Sequence, residues 1–292
     1  MPEVARSIVR RFPGVPTREG AGVQLRRSFS NAEVPLFDPF LLLDRFGSAN
    51  PEDYLAGFPW HPHRGIETIT YVLDGRVEHG DTLGNSGVIG SGDVQWMNSG
   101  SGIVHQEMPQ RYDGLFRGFQ LWLNRPAREK MSTPGYRGLS HEEIPTVVTE
   151  PGGSVKVVAG GFRGVEGPVR GISVAPEYLD VRLTPGEALE LPVAAGRTAF
   201  AHGIEGSATF DGGDGRPVPA GETVLFGDGD TLRLQAGSDG GRLLLASARP
   251  LHEPVAWYGP IVMNTKDELT TALLELRRGE FVKERRPRVE ES

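Results

Sequence analysis

The chain runs to 292 residues, enough for one large or two ordinary domains. With no cysteine it can carry no disulfide, no thiolate nucleophile and no Cys-ligated zinc or iron–sulfur centre, and its net charge of −7 offers no attractive field to nucleic acid or to an anionic membrane. The 40 Gly and 23 Pro favour many short strands and tight turns over long helices.

The first residues, MPEVARSIVRRFPG, contain no apolar stretch of signal-peptide length. No segment approaches the roughly 18 uninterrupted apolar residues of a membrane span. A cytoplasmic protein without membrane attachment is the expectation. Period-two patterns then dominate. In IETITYVLDG (66–75), Ile66, Thr68, Thr70 and Val72 alternate with Glu67, Ile69, Tyr71 and Leu73, and Asp74-Gly75 signals a turn. Further strands are predicted over 92–97, 102–108 and 115–124, followed by a short helical piece over 126–131. The polar stretch RGLSHEEIPTVVTEPGGS (137–154) is the natural domain boundary, which divides the chain into 1–140 and 141–292. Strands resume over 154–160, 178–186, 198–204, 222–227, 231–236 and 241–247. One helix is predicted near 266–278, in the second domain. Thr265 and Glu268 have capping-box spacing, Leu269, Ala272, Leu273 and Leu276 form one apolar stripe, and Gly279 stops it.

The two halves read as one pattern used twice. ITYVLDG (69–75) is similar to AFAHGIEG (199–206), and SGDVQWM (91–97) to AGETVLF (220–226). Two short motifs carry the chemistry. His61-Pro62-His63 precedes a strand, and His105-Gln106-Glu107 lies inside one. In extended chain, residues i and i+2 project from one face, so each motif aims two donors in one direction. Two such strands meeting across a barrel would bring three imidazoles and a carboxylate together. That set suits iron(II), zinc, manganese, nickel or copper, and it most resembles the oxygen-activating iron sites. Glu67 shares parity with His61 and His63 and competes with Glu107 for the carboxylate role, or orients an imidazole. His79, His141, His202 and His252 stand without ligand-spaced neighbours.

These residues resemble the pirins, members of the cupin superfamily. The resemblance rests on HPHRGIETITYVLDG (61–75), GDVQWMNSGSGIVHQEMP (92–109), FQLWLN (119–124) and GPIVMNT (259–265), and it runs nearly end to end. It implies an all-β bicupin of two antiparallel jelly-roll barrels. It also implies one metal per chain, usually Fe(2+), in the first barrel, with His61, His63, His105 and Glu107 as ligands. Several pirins act as quercetin 2,3-dioxygenases, so the resemblance implies an oxidoreductase taking a flavonol and dioxygen, with Glu107 as catalytic base. Phe58, Trp60, Trp96, Met97 and Trp122 would wall a site for such a flat substrate. The alternative from another class is a non-enzymatic, iron-dependent regulator that binds a protein partner, for which the basic stretch RRGEFVKERRPR (277–288) would be a docking element. In the second half, the repeat puts Pro192 and Ala194 in place of His61 and His63, and Leu234 and Ala236 in place of His105 and Glu107. A second barrel without metal is therefore expected.

The repulsive net charge and the lack of a recognition helix predict no direct DNA binding. A gel shift of the purified chain with duplex DNA at physiological salt should show no sequence-specific band, and one such band would overturn this.

Overall fold

The computed structural model describes residues 4–284, so the basic stretch from 285 onward lies outside the described residues. Among the described residues the regular structure is almost all β-strand, with one α-helix, Lys266–Arg278. It divides into two compact units, and the division is not the single cut expected at 140/141. One unit comprises residues 16–34, 40–141 and 252–292, and the other comprises 1–15, 35–39 and 142–251. The change of unit between 141 and 142 falls inside the polar stretch. The helix, however, belongs with the histidine motifs and not with residues 142–251.

The histidine-bearing unit is built of two sheets. Seven strands lie in the order Gly135–Leu139, Val94–Asn98, Ile66–Asp74, Phe116–Asn124, Phe40–Ser48, Val23–Phe29 and Val15–Glu19. Four lie in the order Phe58–His63, Ile103–Pro109, Val77–Asp81 and Ser86–Ile89. Val23, Phe46, Val72 and Phe116 from the first sheet pack with Val77 and Ile89 from the second, closing one end of the interior. The predicted helical piece at 126–131 is a single 3-10 turn, Ala127–Glu129.

The C-terminal helix follows its capping signals. Thr265 Oγ1 accepts from Glu268 N at 3.2 Å, Glu268 Oε2 accepts from Thr265 N at 2.9 Å, and Gly279 ends the helix at φ 73°. Its Ala272 is buried with Ile261, Met263 and Phe281, against Val104 on the outer side of the strand Ile103–Pro109. Two buried cations tie this C-terminal segment to the turn after His63. Arg64 donates to Phe281 O at 2.9 Å, pairs with Glu275 and lies 4.2 Å from the Phe281 ring centroid. Lys130 Nζ donates to Gly65 O, Asn124 Oδ1 and Val262 O. Burial, the main cause, brings the Lys130 pKa down to about 7.

In the other unit, Thr198–Phe210 and Thr231–Ala248 are long bent strands at the centre of a nine-stranded sheet. The two strands expected at 231–236 and 241–247 are thus one. Register shifts at Gly203/Glu205 and Gly206/Ala208 let Thr198–Phe210 bend along it. The internal repeat appears in the pairing. Val94–Asn98 lies beside Ile66–Asp74, as Glu222–Phe226 lies beside Thr198–Phe210. Gly92 N donates to Val72 O, and Gly221 N donates to Gly203 O, each at 2.8 Å. Leu234 and Ala236 face the core as expected, but on the partner strand the inward positions are displaced from Pro192 and Ala194. Leu189 and Leu191 face Leu234 and Leu232 in the core, while Pro192 and Ala194 are exposed.

Gly65 has φ 78°, and a Cβ there would meet Val262 O at 2.1 Å. Gly65→Ala should therefore destabilise the protein by about 1–3 kcal/mol, read as a lower denaturant midpoint.

Candidate metal centre

The strands Phe58–His63 and Ile103–Pro109 pair antiparallel, with His105 opposite His61 and Ile103 opposite His63. Alternation then aims all three imidazoles inward. Their ring centroids lie 4.3 Å apart for His61 and His105, 4.9 Å for His61 and His63, and 5.0 Å for His63 and His105. Among the described residues this is the one group of three or more His, Cys, Asp or Glu whose ligand atoms all lie within 4.8 Å of one another.

Hydrogen bonding determines which nitrogens are presented. His61 Nδ1 contacts Pro59 O at 2.9 Å, and His63 Nδ1 contacts Pro260 O at 3.2 Å. A carbonyl can only accept, so Nδ1 carries the proton in both rings and Nε2 keeps its lone pair. His105 is fully buried, and neither of its ring nitrogens has a hydrogen-bond partner. A buried imidazole without partners, beside two Nε2 lone pairs, fits a divalent transition metal. Burial, and then charge on the neighbouring imidazoles, holds the pKa of His63 and of His105 well below the ordinary histidine value. Both are neutral at physiological pH, which is the ligating form.

The two candidate carboxylates have separate fates. Glu107 lies beyond a register shift that follows His105. Its Oε1 accepts from Thr70 Oγ1 at 2.7 Å and from Gln95 Nε2 at 3.0 Å. It faces the same interior as the histidines but lies outside the three-histidine group. Glu67 accepts from Trp96 Nε1 at 2.6 Å and pairs with Arg125. It projects from the face of its strand opposite Thr70. The shared parity with His63 is lost because Arg64 and Gly65 interrupt the strand, with Gly65 at φ 78°. Burial raises the Glu67 pKa, against the pull of Arg125 and Trp96.

A cavity of about 540 Å3 opens onto His61, His63 and Glu107, within the range of small-molecule sites. Its aromatic lining is Phe46, Phe58, Trp122 and Trp257. Trp122 meets His63 edge-on at 5.1 Å and Trp257 at 6.0 Å. The expected aromatic wall is thus correct for Phe58 and Trp122 only. Trp60 is 55% exposed and outside the cavity, and Trp96 and Met97 are buried elsewhere in the sheet. Trp257 escaped sequence reading because it comes from a segment far along the chain.

His79 also departs from expectation. It is buried, its Nε2 lies 3.2 Å from Asp81 Oδ2, and its ring centroid is 5.4 Å from that of His105 and 4.4 Å from that of Tyr136. Burial alone would raise the Asp81 pKa, but bonds from His79 and Asn85 hold it below the usual value. The signal was present in the sequence: His79-Gly80-Asp81 repeats the i, i+2 spacing of the two ligand motifs. The remaining histidines play no part in the cluster. His202 bonds to Thr223 in the other unit, His141 is exposed beside Asp93, and His252 occupies a position with φ 55°.

The sequence matches the family model Pirin over residues 22–123 and Pirin C-terminal cupin domain over residues 178–282. A pirin-like protein of Caulobacter vibrioides is 46% identical, over 94% of this chain and 99% of its own length. The Pseudomonas aeruginosa protein named "Putative quercetin 2,3-dioxygenase PA3240" is 41% identical, over 94% of this chain and 97% of its own. A solved structure of quercetin 2,3-dioxygenase from Acinetobacter baumannii is similar with a TM-score of 0.88 and 30% identity, covering 95% of this chain and 99% of the other. The expected bicupin fold is the one observed.

Because His63 and His105 refuse protons that the unfolded chain accepts, the stability they favour is intact above about pH 6.5 and is lost as pH falls below it. Chelator-treated protein should lose about 1 kcal/mol per buried histidine for each pH unit below 6.5. Denaturant titrations at pH 7.5, 6.5 and 5.5 should show a shallower decline for His105→Gln.

Proposed function

The chain belongs to the pirin family, and on that premise we propose that it is a metal-dependent dioxygenase that cleaves flavonols of the quercetin type. The observation that carries this reading is the opening of the three-histidine cluster into an aromatic-walled cavity that also contains a carboxylate. In this reading His61, His63 and His105 hold one divalent metal, with iron(II) as the native ion, and Glu107 completes the donor set. The bound metal supplies Lewis acidity toward a substrate hydroxyl oxygen and the redox capacity to engage dioxygen.

The protein's own residues do the rest. Pro59 O and Pro260 O fix the tautomers of His61 and His63, so both rings present Nε2. Trp122, Trp257 and Phe58 hold a flat ring system and exclude water from it. Thr70 and Gln95 occupy Oε1 of Glu107, which leaves Oε2 to accept the proton of the substrate hydroxyl. The other unit, with Leu189, Leu191, Leu232 and Leu234 at the positions equivalent to the ligand strands, holds no metal in this reading.

Anaerobic iron loading should give close to one metal per chain. His61→Ala and His105→Ala should abolish it, and two metals per chain would sink the proposal of a single metal-bearing unit. Glu107→Gln should weaken metal binding, while Glu67→Gln should leave occupancy unchanged because its carboxylate is held by Arg125 and Trp96. The reverse ranking would make Glu67 the carboxylate ligand.

Activity is checked by oxygen uptake and loss of the flavonol absorption band on iron-loaded protein with quercetin. Trp122→Ala should reduce the rate roughly 10- to 100-fold through lost substrate positioning. If fully loaded wild-type protein consumes no oxygen with any flavonol, the reading passes to a metal-dependent regulator that binds a protein partner.

A further inference from the structure

A row of polar side chains, of which Gln120, Asp44 and Arg27 line the cavity and the buried Thr70 adjoins it, is used by the reading above only at one end. Register places them side by side on adjacent strands. Gln120 lies opposite Thr70 on one side and opposite Asp44 on the other, and Asp44 lies opposite Arg27. At roughly 4.8 Å per strand, the row from Thr70 to Arg27 spans about 14 Å. It starts at Glu107, which Thr70 joins to Gln120 at 2.7 and 2.9 Å. It ends in an ion triad. Arg27 Nε and Nη2 donate to the two oxygens of Asp44 at 2.8 and 2.7 Å, and Nη1 donates to Glu19 Oε1 at 2.8 Å.

Glu19, Arg27 and Asp44 all line the cavity. One guanidinium there faces two carboxylates, so the triad carries a net charge of −1 and offers mainly acceptor oxygens. Arg27 already directs three of its five N–H groups at carboxylates, and its charge is more than matched by the two of them before any ligand arrives. Such an end binds hydroxyl donors and repels anions.

We infer that Glu19, Arg27 and Asp44 form a specificity subsite that accepts the hydroxyl groups on the remote ring of a neutral, flat polyphenol and rejects a ligand that carries an anionic group there. This rests on the flavonol reading and adds which flavonols are taken. The ligand lies across the strands, with its reactive hydroxyl at Glu107 and the histidines and its remote ring over the triad. Trp122 and Trp257 flank the space between.

The test is calorimetric binding to iron-loaded protein with dioxygen excluded, using three flavonols. One carries two adjacent hydroxyls on the remote ring, one carries none, and one carries a sulfonate there. The dihydroxy compound should bind about tenfold tighter than the unsubstituted one, and the sulfonated compound weakest of the three. Glu19→Gln removes a half-exposed charge and should narrow both gaps, whereas Glu78→Gln, an exposed residue outside the cavity, should leave them unchanged. Equal affinity for the first two compounds, tightest binding of the sulfonated one, or full discrimination in Glu19→Gln would each overturn the subsite while leaving the flavonol reading in place. Failure of all three to bind would remove both.

Discussion

The pairing of His61 with His105 across two antiparallel strands is the constraint on which the site depends. Side chains alternate along a strand, so this one register places His63 on the same face as His61 and His105. A one-residue slip of the strand Phe58–His63 would turn His61 and His63 outward and bring Pro62 in, leaving His105 alone. The strand Phe58–His63 is at the edge of its sheet, so sheet hydrogen bonds hold it from one side only. Backbone carbonyls and two buried cations after His63 supply the rest of its anchorage. The donor geometry is therefore a property of the whole unit, although only two tripeptides carry the ligands.

What could be read in advance divides along physical lines. Period-two alternation is local, and the strand bearing His105 and Glu107 appeared near its expected place, whereas His61 and His63, expected before a strand, lie inside one, Phe58–His63. Capping is also local, so Thr265, Glu268 and Gly279 delimited the helix correctly. The failures all involve long-range burial or an interrupted strand. Parity counted from His63 to Glu67 ignored the Arg64-Gly65 turn, so Glu67 was set beside the ligands when it pairs with Arg125 behind them. His79 reads as solitary because its partner is an aspartate and its neighbour His105 lies on another strand. Trp257 and Pro260 reach the cavity from a segment assigned to the other domain, since nothing in composition reveals where residues 252–284 dock.

The two units use one strand pairing for opposite ends. Where one has His61 facing His105, the other has Leu191 facing Leu232 and Leu189 facing Leu234. Each buried leucine contributes roughly 1.5–3 kcal/mol through removal of apolar surface from water. His63 and His105 in the other unit must instead forgo their charge and, at His105, hydrogen bonds as well. At these strand positions one unit is filled by leucine, and the histidine-bearing unit gives up that stabilisation to keep reactive groups in a cavity.

The contact between His63 and Pro260 also bears on the order of events during synthesis. The two residues are 197 positions apart, and Arg64 and Phe281 are 217 apart. A ribosome delivers the histidine strands long before it delivers the carbonyl that sets the His63 tautomer. A nascent chain ending before residue 260 holds all three imidazoles but lacks the atom that directs one of them. Throughout that interval the edge strand is uncovered, and Pro59 and Pro62 withhold two of the N–H donors that a second chain would need to pair with it. The ligands are thus in place well before the carbonyl that sets the tautomer of one of them, 197 positions further along the chain.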